Sequence, residues 1–347
     1  MRVLVTGHNG YVGTVLVPML LKAGHDVVGL DSNLYQAATF GEENETSTIP
    51  ALNKDVRDVT HEDLDGFDAI LHLAGLSNDP LGDLNPELTY EINHRASVRM
   101  AEIAKELGVE RFIFSSSCSN YGAGVDDWLN EQSAFNPVTP YGRSKVMVEQ
   151  DVAKLASDGF SPTFLRSSTA YGVSPRLRFD LVLNNLTAWA YTTGLVYLKS
   201  DGTPWRPVVH IEDMALAFVA ALHAPRELIH NEAFNVGRPE ENYRIRELAE
   251  IVAETVPGSR VEFAEGASPD KRNYRVDSGK IARVLPEYKP KWTARLGAQE
   301  LYEAYQRVGL QLEEFEGPRY RRIDHIKLLM ASGRLDNHLR WREAVPA

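Results

Sequence analysis

The chain is 347 residues long and 43% hydrophobic, with a formal net charge of −11; that length suits a doubly wound sheet with an added lobe, and the acidic balance argues against a nucleic-acid protein. Its one cysteine excludes an internal disulfide framework, and no Cys/His cluster has zinc spacing, so no metal is expected. No run approaches the ~18 apolar residues of a membrane span, and Met1-Arg2-Val3 enters a strand with no charged leader ahead of an apolar stretch, so the chain reads as soluble and cytoplasmic.

The apolar run Val3–Thr6 reads as a buried parallel strand. It leads into Thr6-Gly7-His8-Asn9-Gly10-Tyr11-Val12-Gly13, a G-x-x-G-x-x-G turn that opens a helix from Thr14 to Leu21. Glycines there allow a tight turn and let a pyrophosphate approach backbone N–H groups at a helix N-terminus. A second strand, Val27–Leu30, ends in Asp31, 18 residues after Gly13. An acid at that point suits a ribose diol and repels a 2′-phosphate, and Ser32-Asn33-Leu34-Tyr35 offers no basic residue, so NAD is expected rather than NADP. Gly7, Asn9, Gly10, Tyr11, Val12, Gly13, Asp31 and Asn33 form the expected cofactor set from this region.

Glu42–Ile49 is acidic and polar, a surface loop. Further strands are expected at Ala69–Leu73, Arg111–Ser115, Thr163–Arg166 and Ala233–Val236, alternating with helix-like stretches. That alternation predicts an α/β fold, a doubly wound parallel (Rossmann) sheet with right-handed crossovers. From Ser174-Pro175-Arg176 onward the order is broken by Pro204, Pro207, Pro225, Pro239, Pro257 and Pro269. The expected division is therefore 1–173 for the cofactor domain, its sheet completed by about 206–237; 174–205 and 238–300 for a smaller, mostly C-terminal substrate-binding lobe; and 301–347 for a helical tail. In that tail Tyr320, Ile323, Ile326, Leu329 and Met330 read as a packing stripe rather than a ligand site.

Tyr141-Gly-Arg-Ser-Lys145 places a phenol and an ammonium one helical turn apart on one face. The lysine charge lowers a phenol's pKa, which makes Tyr141 a candidate general base for a hydroxyl. The polar cluster Ser115-Ser116-Ser117-Cys118-Ser119-Asn120 follows a strand, where open α/β sheets bind ligands. Ser117, 24 residues before Tyr141, is placed to share the same substrate oxygen; a serine-rich turn is the plainer reading.

These features together resemble the extended short-chain dehydrogenase/reductase family, in the branch acting on nucleotide-sugars, over roughly residues 1 to 295. Asp55-Val56 resembles its adenine-contacting pair, and Leu73 and Ala74, in Leu71-His72-Leu73-Ala74-Gly75, its fourth-strand end. Asn93, Ser115, Arg206 with Asp213, Phe234-Asn235-Val236-Gly237, and Arg272 with Asp277 match further family positions. The resemblance implies NAD as cofactor, a nucleotide-diphosphate sugar as substrate, and a catalytic set of Ser117, Tyr141 and Lys145 working through a keto-sugar intermediate. Tyr141 and Lys145 would also touch the cofactor. Sugar 4,6-dehydratases of the family carry Asp-Glu where this chain has Cys118-Ser119, and its decarboxylases carry Glu at the second place. Its 3,5-epimerases use a cysteine one place later, so Cys118 stands as either an acid/base or a small buried filler. The pattern most resembles the 4-epimerases. A dehydrogenase or 4-ketoreductase with exchangeable NAD(H) is the alternative; a 4,6-dehydratase or a non-catalytic NAD-binding regulator is further away.

The resemblance also implies a substrate set of Ser117, Ser119, Asn120, Asn184, Arg206 and Arg272. Thr169 stands where the family has a diphosphate-binding asparagine, and Arg176 and Arg178 either compensate for it or form a solvated pair. The family pairs two helices into a homodimer; here these are Ala96–Leu107, with Val98, Ile103 and Leu107, and Ser144–Ala156, with Val148, Val152 and Leu155.

Overall fold

Val3, Leu4 and Val5 are fully buried, with no exposed alternate face. Such a strand needs cover on both sides, and it lies mid-sheet. The computed structural model describes residues 1–41, 48–77, 85–122, 128–268 and 273–342. The strands are β1 (Arg2–Thr6), β2 (Asp26–Asp31), β3 (Ala51–Asn53), β4 (Ala69–His72), β5 (Arg111–Ser117), β6 (Ser161–Ser167), β7 (Thr169–Tyr171), β8 (Leu195–Ser200), β9 (Trp205–His210), β10 (Glu232–Val236), β11 (Asn242–Arg244) and β12 (Arg260–Ser268). The longer helices are α1 (Gly13–Lys22), α2 (Ala96–Glu106), α3 (Pro140–Ala153), α4 (Val182–Thr193), α5 (Ile211–His223), α6 (Ile245–Thr255), α7 (Ala294–Val308) and α8 (Arg322–Ala331).

A seven-stranded parallel sheet runs in the order β10-β6-β5-β4-β1-β2-β3. The chain winds outward from β1 through β2 to β3, then crosses back to β4 on β1's other side. Strand order reverses there, and ligands of such sheets sit beyond the carboxyl ends of the strands at that point. The six expected main strands all occur. β3 also joins the sheet; at three residues it is too short to show a pattern.

One expectation is corrected. Of the stretch 206–237 only β10 completes the main sheet. β9 instead pairs parallel with β7 and antiparallel with β11 in a separate three-stranded sheet. β8 and β12 form a small parallel pair.

The sheet divides the core into two clusters. One holds Val3, Val5, Leu16 and Phe218 with much of the C-terminal lobe. The other holds Leu4, Ile70, Met100, Phe112, Phe114 and Val148 under α2 and α3. α3 starts earlier than expected because Thr139 Oγ1 accepts from Gly142 N at 3.2 Å and Pro140 takes the first helical position. The tail joins both clusters: Tyr320 packs into the first, Ile326, Leu329, Leu335 and Leu339 into the second.

Candidate active site

One cavity of about 1080 Å³ opens where β1 and β4 end. It is larger than the ~300–1,000 Å³ of a typical small-molecule site. Its first wall is the glycine turn. Gly7 has φ +73° and packs so closely on β4 that an added Cβ would lie 2.9 Å from Ala74 N. At Gly13 an added Cβ would lie 2.3 Å from Gly7 O. Only glycine lets the loop fold back on α1, leaving the helix start open to an anion.

The second wall is the Asp31 carboxylate at the end of β2. It accepts from Asn9 N at 3.1 Å and from Asn33 N at 2.8 Å, which fixes it beside the turn. Asn9 Nδ2 donates to Asn33 Oδ1 at 2.7 Å and closes the loop. A polar chain holds the end of β4. Ala74 N donates to Thr6 Oγ1, whose hydroxyl donates to His72 Nδ1 at 2.6 Å. His72 Nε2 then donates to Ser97 Oγ at 2.7 Å, and Ser97 donates to Asn93 O at 2.7 Å. This arrangement needs a neutral imidazole, and burial pushes the His72 pKa down to about 3.

The third wall carries Ser115, Ser117, Ser119, Tyr141 and Lys145. Lys145 Nζ donates to Ser115 O at 2.7 Å and lies 5.8 Å from the centre of the Tyr141 ring. Burial lowers its pKa to about 7, against the opposing pull of Glu149. Ser117 Oγ accepts from Ser119 N at 3.1 Å. Behind this wall Arg166 Nη2 meets Glu149 Oε2 at 2.6 Å, and Glu149 Oε1 also holds Ser116 and Asn120. That buried pair fixes the serine turn against α3. Thr169 and Arg206 line the same cavity.

A glycine turn and an acid at one side and a Ser-Tyr-Lys wall at the other suit a dinucleotide beside a proton-transfer step. Residues 3–237 match the model of the NAD dependent epimerase/dehydratase family. The chain belongs to that family. The UDP-glucose 4-epimerase of Bacillus subtilis (strain 168) is 27% identical over 339 residues, covering 87% of this chain and 94% of its own. The UDP-glucose 4-epimerase of Lactobacillus helveticus is 29% identical over 320 residues, covering 84% and 92%. Among solved structures, the UDP-glucose 4-epimerase of Thermus thermophilus in complex with NAD matches with TM-score 0.73 at 25% identity, over 88% of this chain and 99% of that one. MoeE5 in complex with UDP-glucuronic acid and NAD matches with TM-score 0.77 at 25% identity, over 88% and 99%. NAD is the cofactor of this epimerase/dehydratase.

The cavity gathers most of the residues singled out from the sequence: the glycine turn, Asp31, Asn33, Asp55, Val56, Leu73, Ala74, Ser115, Ser117, Ser119, Tyr141, Lys145, Thr169, Arg178 and Arg206. Asp55 accepts three hydrogen bonds from Arg57, from Nε at 3.0 Å, Nη2 at 2.7 Å and the backbone N at 2.9 Å, and its pKa falls below the usual carboxylate range despite burial.

Five others do not line the cavity: for Asn184, Asn120, Asn93 and Arg176 this corrects the expectation, and for Cys118 it favours the buried-filler reading. Asn184 is fully buried, and its amide holds Gly172 N at 3.0 Å and Arg178 O at 2.9 Å; Asn185 is the asparagine on the wall. Asn120 is fully buried on Glu149 and Ser116. Asn93 holds Leu76 through both N and O and so positions the loop after β4. Arg176 Nη1 donates to Thr39 Oγ1 at 2.5 Å, away from the cavity. Cys118 packs with Tyr121, Leu129, Tyr274 and Val276, and its thiol donates to Arg166 O. Burial also pushes that thiol up to about 12, in keeping with the filler reading. Arg272 and Pro269, with most of the 42–49 loop, lie outside the described residues.

The sequence reading missed the tail's contribution. Ile323, taken as packing, faces the cavity together with Glu316, Arg321, Arg322 and Leu339. Arg178 also has a partner that was not foreseen: its guanidinium meets Asp180 at 3.0 and 2.7 Å. Among the described residues no group of three or more His, Cys, Asp or Glu side chains could hold a metal ion. No helix of those residues is long and apolar enough to cross a membrane.

Proposed function

We propose that the protein is a redox-neutral nucleotide-sugar 4-epimerase, with Tyr141, Lys145 and Ser117 as its catalytic residues. The observation that carries this reading is the meeting of those three side chains with the glycine turn and Asp31 in one cavity. NAD held by the glycine turn, Asp31 and Lys145 would supply the hydride acceptor and donor for the sugar carbon. Tyr141 withdraws the proton of the hydroxyl on that carbon and later gives it back. Lys145 supplies the nearby positive charge that favours the tyrosinate. The Ser117 hydroxyl donates to the oxygen while it carries charge. Asp31 and Asn33 hold the ribose at the adenine end, and the glycine turn presents its N–H groups to the phosphates.

Two features support epimerisation over dehydration. Elimination of water needs a carboxylate beside Ser117, and this chain has a buried thiol at 118 and a hydroxyl at 119. The curated relatives bear the name UDP-glucose 4-epimerase, which favours a UDP-hexose. Thr169 and Arg206, on the cavity wall, are the residues proposed to meet its diphosphate. A cytoplasmic homodimer belongs to the same reading and rests on the family resemblance.

The test is to incubate the purified protein with UDP-glucose, UDP-galactose and their N-acetylamino counterparts and follow the sugar protons by NMR. We expect interconversion of one C4 pair without added NAD. A product with a C6 methyl signal, or reaction only in step with added NAD(H), would point instead to a dehydratase or to a net dehydrogenase.

A further inference from the structure

Arg322 is a buried guanidinium in the segment that follows the family-like part of the chain. It is only 7% exposed, stacks 3.9 Å over the Tyr35 ring, and lines the cavity. Its one hydrogen bond to backbone runs from Nη2 to Arg176 O at 3.3 Å. Among the described residues no carboxylate lies within ion-pair distance of it. The neighbouring Arg178 is already matched by Asp180, so the cluster of Arg178, Asp180 and Arg322 is left with one unmatched positive charge. Burial depresses the Arg322 pKa and the Arg178 charge adds to that, while Asp180 and the Tyr35 hydroxyl pull the other way without cancelling it. A buried cation in this position calls for an anion.

The position says which anion. Tyr35 lies four residues past Asp31, on the loop at the adenine-ribose end. Arg178 reaches the other way, donating to Ser77 Oγ at 3.1 Å just past β4, with the Tyr11 and Tyr141 phenols close by. Arg322 therefore stands between the ribose end and the proton-transfer end of the cavity. A dinucleotide stretched from Asp31 to Tyr141 carries its two phosphates in that middle stretch. The tail is fastened beside it: His325 Nε2 donates to Leu34 O at 3.0 Å, and Trp341 Nε1 donates to Ser32 O at 2.6 Å.

We propose that Arg322 is a cofactor-binding residue: with Arg178 it contacts the NAD pyrophosphate from the side of the C-terminal segment, while the glycine turn supplies backbone N–H groups. The tail is then part of the cofactor site. This rests on reading the cavity as the NAD site.

The experiment uses the full chain, freed of nucleotide, with Arg322→Gln and Arg322→Lys compared with wild type. NAD and UDP are titrated separately by calorimetry at low and at high salt, and the melting temperature of each protein is recorded. Arg322→Gln removes both the charge and the guanidinium that stacks on Tyr35, while Arg322→Lys keeps the charge without the stacking plane. We expect it to weaken NAD roughly 10- to 100-fold, to flatten the salt dependence of NAD binding, and to leave UDP affinity unchanged. Arg322→Lys should recover part of the loss. A loss confined to UDP would move Arg322 to the substrate diphosphate and overturn the proposal. Unchanged NAD affinity with a lowered melting temperature would make it a packing residue and overturn it too. Wild-type protein that binds no NAD would instead reject the reading of the cavity itself.

Discussion

Tyr141 and Cys118 are both candidate proton carriers by chemistry, and their surroundings separate them. Tyr141 stands on the cavity wall beside Lys145. Cys118 is 1% exposed, and its thiol already donates to Arg166 O. Tyr141→Phe removes one oxygen and keeps the ring's packing, so fold and binding should survive. What it removes is the proton acceptor, and we expect kcat to fall roughly 10²–10⁴-fold with NAD and substrate affinities nearly intact. Ser117→Ala should cost less, because water can replace a hydroxyl donor more readily than a base. Cys118→Ala should turn over close to wild type, since no substrate reaches the thiol. Steady-state kinetics on the best substrate checks all three; near wild-type kcat for Tyr141→Phe would reject the catalytic assignment.

At the scale of elements, α3 carries Lys145 under the sheet, and its burial has a consequence for stability. The folded state lowers its pKa from an ordinary 10.5 to about 7. Between those values the unfolded chain holds a proton that the folded chain has released. Stability from this group therefore rises with pH from about 7 to about 10.5, and its cost is full below that window. Lys145→Met removes the group, so wild type should gain about 1–3 kcal/mol more than the variant between neutral and alkaline pH. Urea unfolding of both proteins without nucleotide measures this; parallel pH dependences would contradict it. Such elements differ in how visible they are in sequence. β1, β2, β4, β5, β6 and β10 were legible because the sheet is covered on both faces and its strands are continuous apolar runs. β7, β9 and β11 were not, because a few residues of mixed polarity acquire their register only from distant partners. That Ser117, Tyr141 and Lys145 share one wall was legible from the strand end and the Tyr-x-x-x-Lys spacing. Which of Asn184 and Asn185 faces the cavity was not, because adjacent helix positions differ by about 100° and only the packing of α4 sets its rotation. Arg176 and Arg178 failed alike: two residues apart in a loop, they point to different neighbours, Thr39 and Asp180.

At the scale of the whole molecule, the expected homodimer has to be weighed against what the two core clusters already cover. Ile103, Val148 and Val152, read as an intermolecular stripe, are buried in the chain's own core. Val98, Leu107 and Leu155 are only half-buried, while Arg99, Glu102, Lys105, Glu106, Gln150 and Lys154 are exposed on the same helices. A dimer through α2 and α3 would thus meet largely through charged side chains around a thin apolar strip. Contacts of that kind are individually weak and screened by salt. The chain's net charge of −11 adds a repulsion between copies that salt relieves, which works in the opposite direction. Local contacts lie closer than a Debye length of about 8 Å at physiological salt, while the overall repulsion acts over longer distances and is screened first. We therefore expect a dimer that persists at moderate salt and dissociates on dilution or at high salt, where the contacts themselves are screened. Light scattering over a series of concentrations and salt levels tests it. A mass fixed at the 38.8 kDa of one chain throughout would exclude the dimer. A dimer mass indifferent to salt would mean that the copies meet through an apolar face other than α2 and α3.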